Sequence, residues 1–203
     1  MLQTFTVRPA TLVLLKKLQS IEDFESLRLV GGTALALHLG HRDSIDLDLF
    51  GKHHLTHEQI LQVLENNDFN VVENYTTQSI FACTCNDIKV DIVNFNIEWL
   101  KPQIIENGIK LAALEDIAAM KLKAIAGRGS KKDFVDIYFL LQHFSLNQML
   151  KMFHQKYPNV ATLLVVKSLA YFADADVEPM PNMYIPIQWE AVQETIKKKL
   201  REL

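Results

Sequence analysis

Two aspartates, Asp46 and Asp48, sit in the run Ser44–Phe50, SIDLDLF. Its strict alternation predicts a strand, because successive side chains leave a strand on opposite faces. Ile45, Leu47 and Leu49 then share an oily face and the two carboxylates share the other. Same-face carboxylates repel unless a cation lies between them. Hard divalent cations take oxygen ligands, and Mg²⁺ is typically held by one or two carboxylates plus substrate phosphates. The plain alternative for an isolated D-x-D is a solvated sheet face.

Two neighbours give the pair context. Upstream, Leu27–Val30 is a short apolar run that stops at Gly31-Gly32-Thr33 and leads into the helix-forming stretch Thr33–Leu39, ended by Gly40. A strand, a glycine turn and a helix N-terminus together offer backbone N–H groups to an anion such as phosphate. Downstream, Asp91 lies in Ile88–Phe95 among β-branched residues. A buried carboxylate needs a partner or a metal. If its strand lies beside that of Asp46 and Asp48, about 4.8 Å away, three acids can converge. Otherwise Asp91 is a partly exposed edge acid.

A lysine supplies the opposite charge. In Leu114–Ala126 the positions Ile117, Ala118, Lys121, Ala124 and Ile125 follow helical spacing, so Lys121 falls mid-stripe on the inward face. Arg128 returns to that face seven residues on if helical phase persists. A lysine there pairs with a phosphate or an acid, or else reaches water along its stem. GRGSKKDFVD follows. Ser130 and Asp133 have capping-box spacing, and Asp133 and Asp136 share the stripe of the next helix. They can pair with Lys121 or Arg128 across the helical hairpin. Lys131 and Lys132 read as loop solvation or as contacts to phosphate. His53, His54 and His57 lack acids or cysteines at zinc-ligand spacing. Cys83 and Cys85 would share one strand face and read as core or edge thiols.

These groups require elements to hold them. Pro9 opens a helix to about Gln19, and Thr56-x-x-Gln59 opens another to about Asn66. Phe69–Asn74, Ser79–Cys85 and Ile88–Phe95 read as strands. From about Leu111 the chain reads as successive helices: Leu114–Ala126, Lys132–His143, Asn147–Tyr157, Asn159–Phe172 and Trp189–Arg201. EPMPNMYIPI before the last helix should run extended. The fold class is α+β: a small mixed β-sheet with flanking helices over 1–110, then a helical C-terminal region over 111–203 that completes the cleft. The 203 residues are 49% hydrophobic and 22% charged, which suits a packed core rather than disorder. The net charge of −3 argues against a polybasic nucleic-acid or membrane coat, though not against a local basic pocket. No run approaches the roughly 18 apolar residues that span a bilayer, and the N-terminus lacks a signal-peptide layout. A cytoplasmic protein is the expectation.

LVGGTALALHLGHRDSIDLDLF, LEDIAAMKLKAIAGRGSKKDFVDIYFLL and LAYFADADVEPMP followed by Trp189 resemble the AbiEii/AbiGii nucleotidyltransferase toxin family, within the DNA polymerase β-like superfamily. The resemblance runs from about Leu27 to Trp189. It implies a minimal nucleotidyltransferase fold, with Asp46 and Asp48 holding Mg²⁺ (or Mn²⁺) and Asp91 as the third acid. It implies that Gly31, Gly32 and either Thr33 or Ser44 contact the triphosphate of an NTP. Lys121 would be the nucleotide-binding lysine, with Arg128 and Lys132 beside it, and Asp133 and Asp136 would complete the signature. Much of the superfamily has Gly-Ser where this chain has Gly31-Gly32, so the hydroxyl passes to Thr33 or Ser44 or is lost. The expected reaction is metal-assisted transfer of NMP from an NTP to an acceptor, with two ions roughly 3.5–4 Å apart. Family toxins are encoded beside an antitoxin in phage-defence systems, and some act on tRNA. The competing readings are a noncatalytic nucleotide- or antitoxin-binding module, and a small-molecule, antibiotic-type adenylyltransferase.

Overall fold

The computed structural model describes residues 1–203. Seven strands form one mixed sheet in the order β3-β4-β5-β2-β1-β7-β6. At its centre are β1 (Arg28–Leu29), β2 (Leu47–Gly51) and β5 (Ile88–Asn94). β2 runs antiparallel to β1 and parallel to β5. The outer strands are β3 (Val71–Thr76) and β4 (Ile80–Cys85) on one side, and β6 (Ile104–Glu106) and β7 (Ile109–Leu111) on the other. The alternation seen in the sequence sets the two faces. Leu47, Leu49, Val90 and Ile92 are fully buried beneath the central strands. Asp48, Phe50 and Asp91 lie on the opposite face, half-buried.

Four helices belong to the sheet-bearing part. They are α1 (Pro9–Ser20), with Pro in its first turn, α2 (Gly31–Leu39), α3 (His57–Asn66) and α4 (Leu114–Gly127). α3 has the full capping box between Thr56 and Gln59. α2 ends on Gly40 at φ +69°, a left-handed position that suits glycine. α4 packs on α2 and on α5 (Lys131–Leu140), α6 (Leu146–Lys156) and α7 (Thr162–Leu169). Short α8 (Ala173–Asp176) and α9 (Trp189–Arg201) follow. One apolar cluster runs through both the sheet and the helical part, including Leu47 and Ile92 with Phe134 and Val192. No helix is long and apolar enough to cross a membrane.

Three sequence expectations change, and one hairpin is new. Gly31 and Gly32 are the first turn of α2 rather than a turn ahead of it. β2 begins at Leu47, so Ser44, Ile45 and Asp46 lie outside the strand and Ile45 is 49% exposed instead of sharing the oily face. Backbone groups there bond elsewhere: the Ser44 N–H donates to Thr6 and the Thr33 hydroxyl donates to the Asp46 carbonyl. The β6–β7 hairpin adds two strands where the sequence suggested no element. Its turn is Asn107-Gly108, at φ 53° and 75°, the residue pair that supplies two positive φ values most easily. Finally, Asn159–Phe172 is not one helix but α7 with a break before α8. The segment before α9 is extended, and Met183 bridges Arg42.

Candidate active site

Register on the sheet brings two of the acids together. Asp48 on β2 is the direct partner of Asp91 on β5. In a parallel pair, matched residues share a face. Asp46 precedes the strand, yet its charge raises the pKa of both neighbours. Burial, followed by the Asp91 charge, pushes Asp48 up to about 6. Burial likewise raises Asp91, although the exposed Lys89 ammonium stands 3.8 Å from one of its oxygens. The other oxygen of Asp91, Oδ1, is buried and has no hydrogen-bond partner.

Gly31 forms the wall beside Asp48. Its φ is +69°, and a Cβ there would lie 2.1 Å from Asp48 Oδ2. A side chain at this position is excluded twice, by backbone conformation and by the carboxylate. Gly32 serves a different neighbour, since its Cβ would lie 2.5 Å from Arg42 Nη2. Thr33 is buried, and its hydroxyl also lies 2.8 Å from that of half-buried Ser44. Of the two candidate hydroxyls, Ser44 is therefore the more open.

Lys121 shares a cleft of about 140 Å³ with Gly31, Asp48, Phe50, Met120 and Arg128. Its ammonium is tied to two buried acids on α5, 3.1 Å from Asp133 Oδ1 and 2.5 Å from Asp136 Oδ2. Arg128 grips Asp133 through Nε and Nη2 at 2.7 and 2.9 Å, and Ser130 donates to the same carboxylate at 2.7 Å. Arg42 holds Asp136 with a two-pronged fork, Nε to Oδ1 at 2.7 Å and Nη2 to Oδ2 at 2.8 Å. Burial works against ionisation of Asp133, but the bonds from Arg128 and the Lys121 charge hold its carboxyl far below the usual range. Lys121 and Arg42 do the same for fully buried Asp136. Desolvation pushes His41 down, so it is neutral and its Nε2–H donates to Asp136 Oδ1 at 2.8 Å. Three permanent cations thus meet two carboxylates, which leaves one positive charge beside the aspartates of the sheet.

His41 and Arg42 were not singled out in the sequence, although HRD stands just ahead of the carboxylate strand. Their signal was a basic pair next to two acids, and only the fold shows which acid 94 residues away they serve. Two other charged residues have structural duties. Lys131 is buried, donates to the Asp176 and Glu178 carbonyls and lies 5.0 Å from the centre of the Trp189 ring. It is not the solvated loop residue the sequence suggested. Asp116 is buried and receives Lys156 Nζ at 2.7 Å and the Leu100 and Lys101 N–H groups. Lys132 is exposed on the first turn of α5. Cys83 and Cys85 are buried thiols pushed up to about 12 and about 11, mainly by burial. His53 and His54 line a separate groove of about 820 Å³ with Arg28 and Trp99, away from the aspartates.

A mixed sheet with paired acids on one face, a glycine beside them and cations across a narrow cleft is the setting in which relatives are informative. The profile described as "Nucleotidyl transferase AbiEii toxin, Type IV TA system" matches residues 13–202. The chain belongs to the AbiEii nucleotidyltransferase toxin family. It is a transferase of that class. An uncharacterized protein of Aquifex aeolicus (strain VF5) is 34% identical over 193 residues, covering 93% of each chain. Among solved structures, JHP933 from Helicobacter pylori is similar at TM-score 0.57 and 19% identity, covering 97% of this chain and 92% of its own. The nucleotidyltransferase toxin MenT4 from Mycobacterium tuberculosis H37Rv is similar at TM-score 0.54 and 15% identity, covering 95% and 83%. Both share the fold.

The donors present suit a hard divalent cation. Asp91 Oδ1 is an orphaned buried oxygen, Asp48 is burdened by neighbouring negative charge, and Gly31 sets no side chain against it. No three acid, histidine or cysteine side chains surround a single point at ligating distance.

Proposed function

We propose that this member of the family transfers NMP from an NTP to an acceptor hydroxyl in a divalent-metal-dependent reaction. The observation that supports it is the registered pair Asp48 and Asp91, in which Asp91 Oδ1 is buried without a partner and Asp48 shares one cleft with Lys121 and Arg128. Asp46, Asp48 and Asp91 would hold Mg²⁺ or Mn²⁺, with Asp46 moving in from its place ahead of β2. The bound metal supplies charge neutralisation on the triphosphate and acidifies the acceptor hydroxyl.

Lys121 and Arg128 supply fixed positive charge where negative charge develops on the phosphates. Gly31 keeps the approach to Asp48 clear, and Ser44 offers the hydroxyl. Gly32 acts indirectly, by leaving room for Arg42. Asp133 and Asp136 position Lys121 and Arg128, and exposed Lys132 adds charge at the rim. The acceptor oxygen bonds to the α-phosphorus as the bond from that phosphorus to the bridging oxygen breaks. Pyrophosphate leaves with the electron pair, and the hydroxyl proton passes to the Asp91 carboxylate. Residues 1–110 supply the acids and 111–203 the cations, so the cleft needs both parts. We read the acceptor as an RNA end such as that of tRNA, and the setting as a cytoplasmic toxin held by a cognate antitoxin in phage defence.

The test is label transfer from the four α-³²P NTPs into cellular RNA with and without Mg²⁺. Label in RNA that disappears on chelation and in the Asp46→Ala variant is the expected result. Wild-type transfer by Asp46→Ala contradicts the assignment.

A further inference from the structure

A second cleft opens next to the first. It has a volume of about 380 Å³ and lies between the α4–α5 turn and the α7–α8 junction. Arg128 lines both clefts. Its guanidinium is anchored to Asp133 through Nε and Nη2, while its side chain stays 59% exposed. The turn around it carries little bulk: a Cβ at Gly127 would meet nothing within 4 Å, and Gly129 sits at φ +55°. Across the cleft stand exposed Lys167, half-buried Ser168 and Tyr171, which is 57% exposed. Asp174, the acid in the cleft, accepts a 3.3 Å hydrogen bond from the Tyr171 hydroxyl, which steadies the ring.

The chemistry matches one kind of ligand. Two cations set on opposite walls suit successive phosphates, and an exposed aromatic ring suits a base, whose face stacks whatever its identity. A glycine-flanked turn lets a backbone approach closely. Within the cleft only Ile125, Ala126 and Tyr171 are apolar, fewer than a protein interface core requires. Arg128 borders both clefts, so they lie side by side at that residue.

We propose that the cleft formed by Arg128, Lys167, Ser168 and Tyr171 binds the single-stranded end of the acceptor polynucleotide and delivers its terminal hydroxyl to the aspartates. This rests on the nucleotidyl-transfer reading and adds where the acceptor lies. Lys167 contacts a phosphate, Tyr171 stacks the base behind the terminal nucleotide, and Arg128 spans acceptor and NTP.

The test uses the full chain and a 5′-fluorescein-labelled 12-nucleotide RNA with a free 3′ hydroxyl, followed by anisotropy at several salt concentrations. Lys167→Ala combined with Tyr171→Ala is expected to weaken RNA binding at least about tenfold. The slope of log K against log salt should fall by about 0.7, one phosphate contact on a single strand. Binding of Mg²⁺–NTP should be unchanged. Asp48→Asn should lose transfer yet bind the RNA like wild type, which separates failure of the chemistry from failure of the docking site. The proposal is overturned if wild type does not bind the RNA, or if the double variant binds it with unchanged affinity and salt slope. Retained RNA affinity with loss of a co-purifying protein would instead give the cleft to a protein and overturn it as well.

Discussion

Asp48 has a cost that the proposed metal-holding role explains. Side by side with Asp91 and largely withdrawn from water, it ionises only near pH 6. In the unfolded chain it ionises near pH 3.8. Its folded pKa is raised, so the native state loses stability as pH climbs from about 4 to about 6, and the loss is constant above that. Asp48→Asn should therefore raise stability at pH 7 by about 1–2 kcal/mol, allowing for partial solvent exposure, and by almost nothing below pH 3.5. Denaturant melts at the two pH values check this. The proposed activity needs the ionised carboxylate, a form that a bound cation would favour. Gly31→Ala should abolish transfer and destabilise the fold by about 1–3 kcal/mol, through positive φ and the clash with Asp48. Arg42→Lys keeps the charge but loses the fork on Asp136. Asp136 is then less firmly fixed, and so is the Lys121 ammonium that it holds. We expect a rise of about tenfold in KM for NTP with a smaller change in kcat, measured by initial rates. Equal kinetics would mean that Arg42 only packs. At this scale the sequence showed that Asp48 and Asp91 can share a sheet face and that Lys121 points inward, because periodicity reports which face a residue takes. It could not show Arg42, whose partner Asp136 is brought to it only by the docking of α5 on α2.

Elements with strong local signals were legible. The capping box of α3, the proline of α1 and the alternation of β5 all appear where residue chemistry places them. Elements made by distant partners were harder to see. β2 starts two residues after Ile45 because Ser44 and Asp46 find hydrogen bonds to residues near Thr6 and Thr33 instead of in the sheet. The β6–β7 strands are three residues each and lie beside β1 only through Leu29 and Leu111, so the Asn107-Gly108 turn was their one local mark. α6 is tied down by Lys156 reaching fully buried Asp116. Lys156→Met leaves Asp116 with only two backbone donors, and should cost about 3–5 kcal/mol in thermal or denaturant unfolding. The Asp116→Asn, Lys156→Met double change should recover part of that loss. A double variant no more stable than the single one would show that packing, not charge, dominates.

Across the whole molecule, the carboxylates of the sheet face a charged cluster built by α4, α5 and Arg42, and the two meet in the cleft that Asp48 and Lys121 share. The net charge of −3 hides this, because the surplus cation sits in one cleft. Composition could bound the class of protein but not reveal a local field. The same arrangement predicts salt-sensitive binding of a nucleic-acid acceptor despite the acidic average. The central claim is that paired sheet aspartates carry metal-dependent nucleotidyl transfer. Its most direct measurement is the rate of α-³²P NMP incorporation by wild type and Asp48→Asn, titrated with Mg²⁺ at pH 7.5. A loss of more than about a hundredfold in a variant that melts no lower than wild type is the predicted result. Incorporation by Asp48→Asn at the wild-type rate and with the same metal dependence would contradict it.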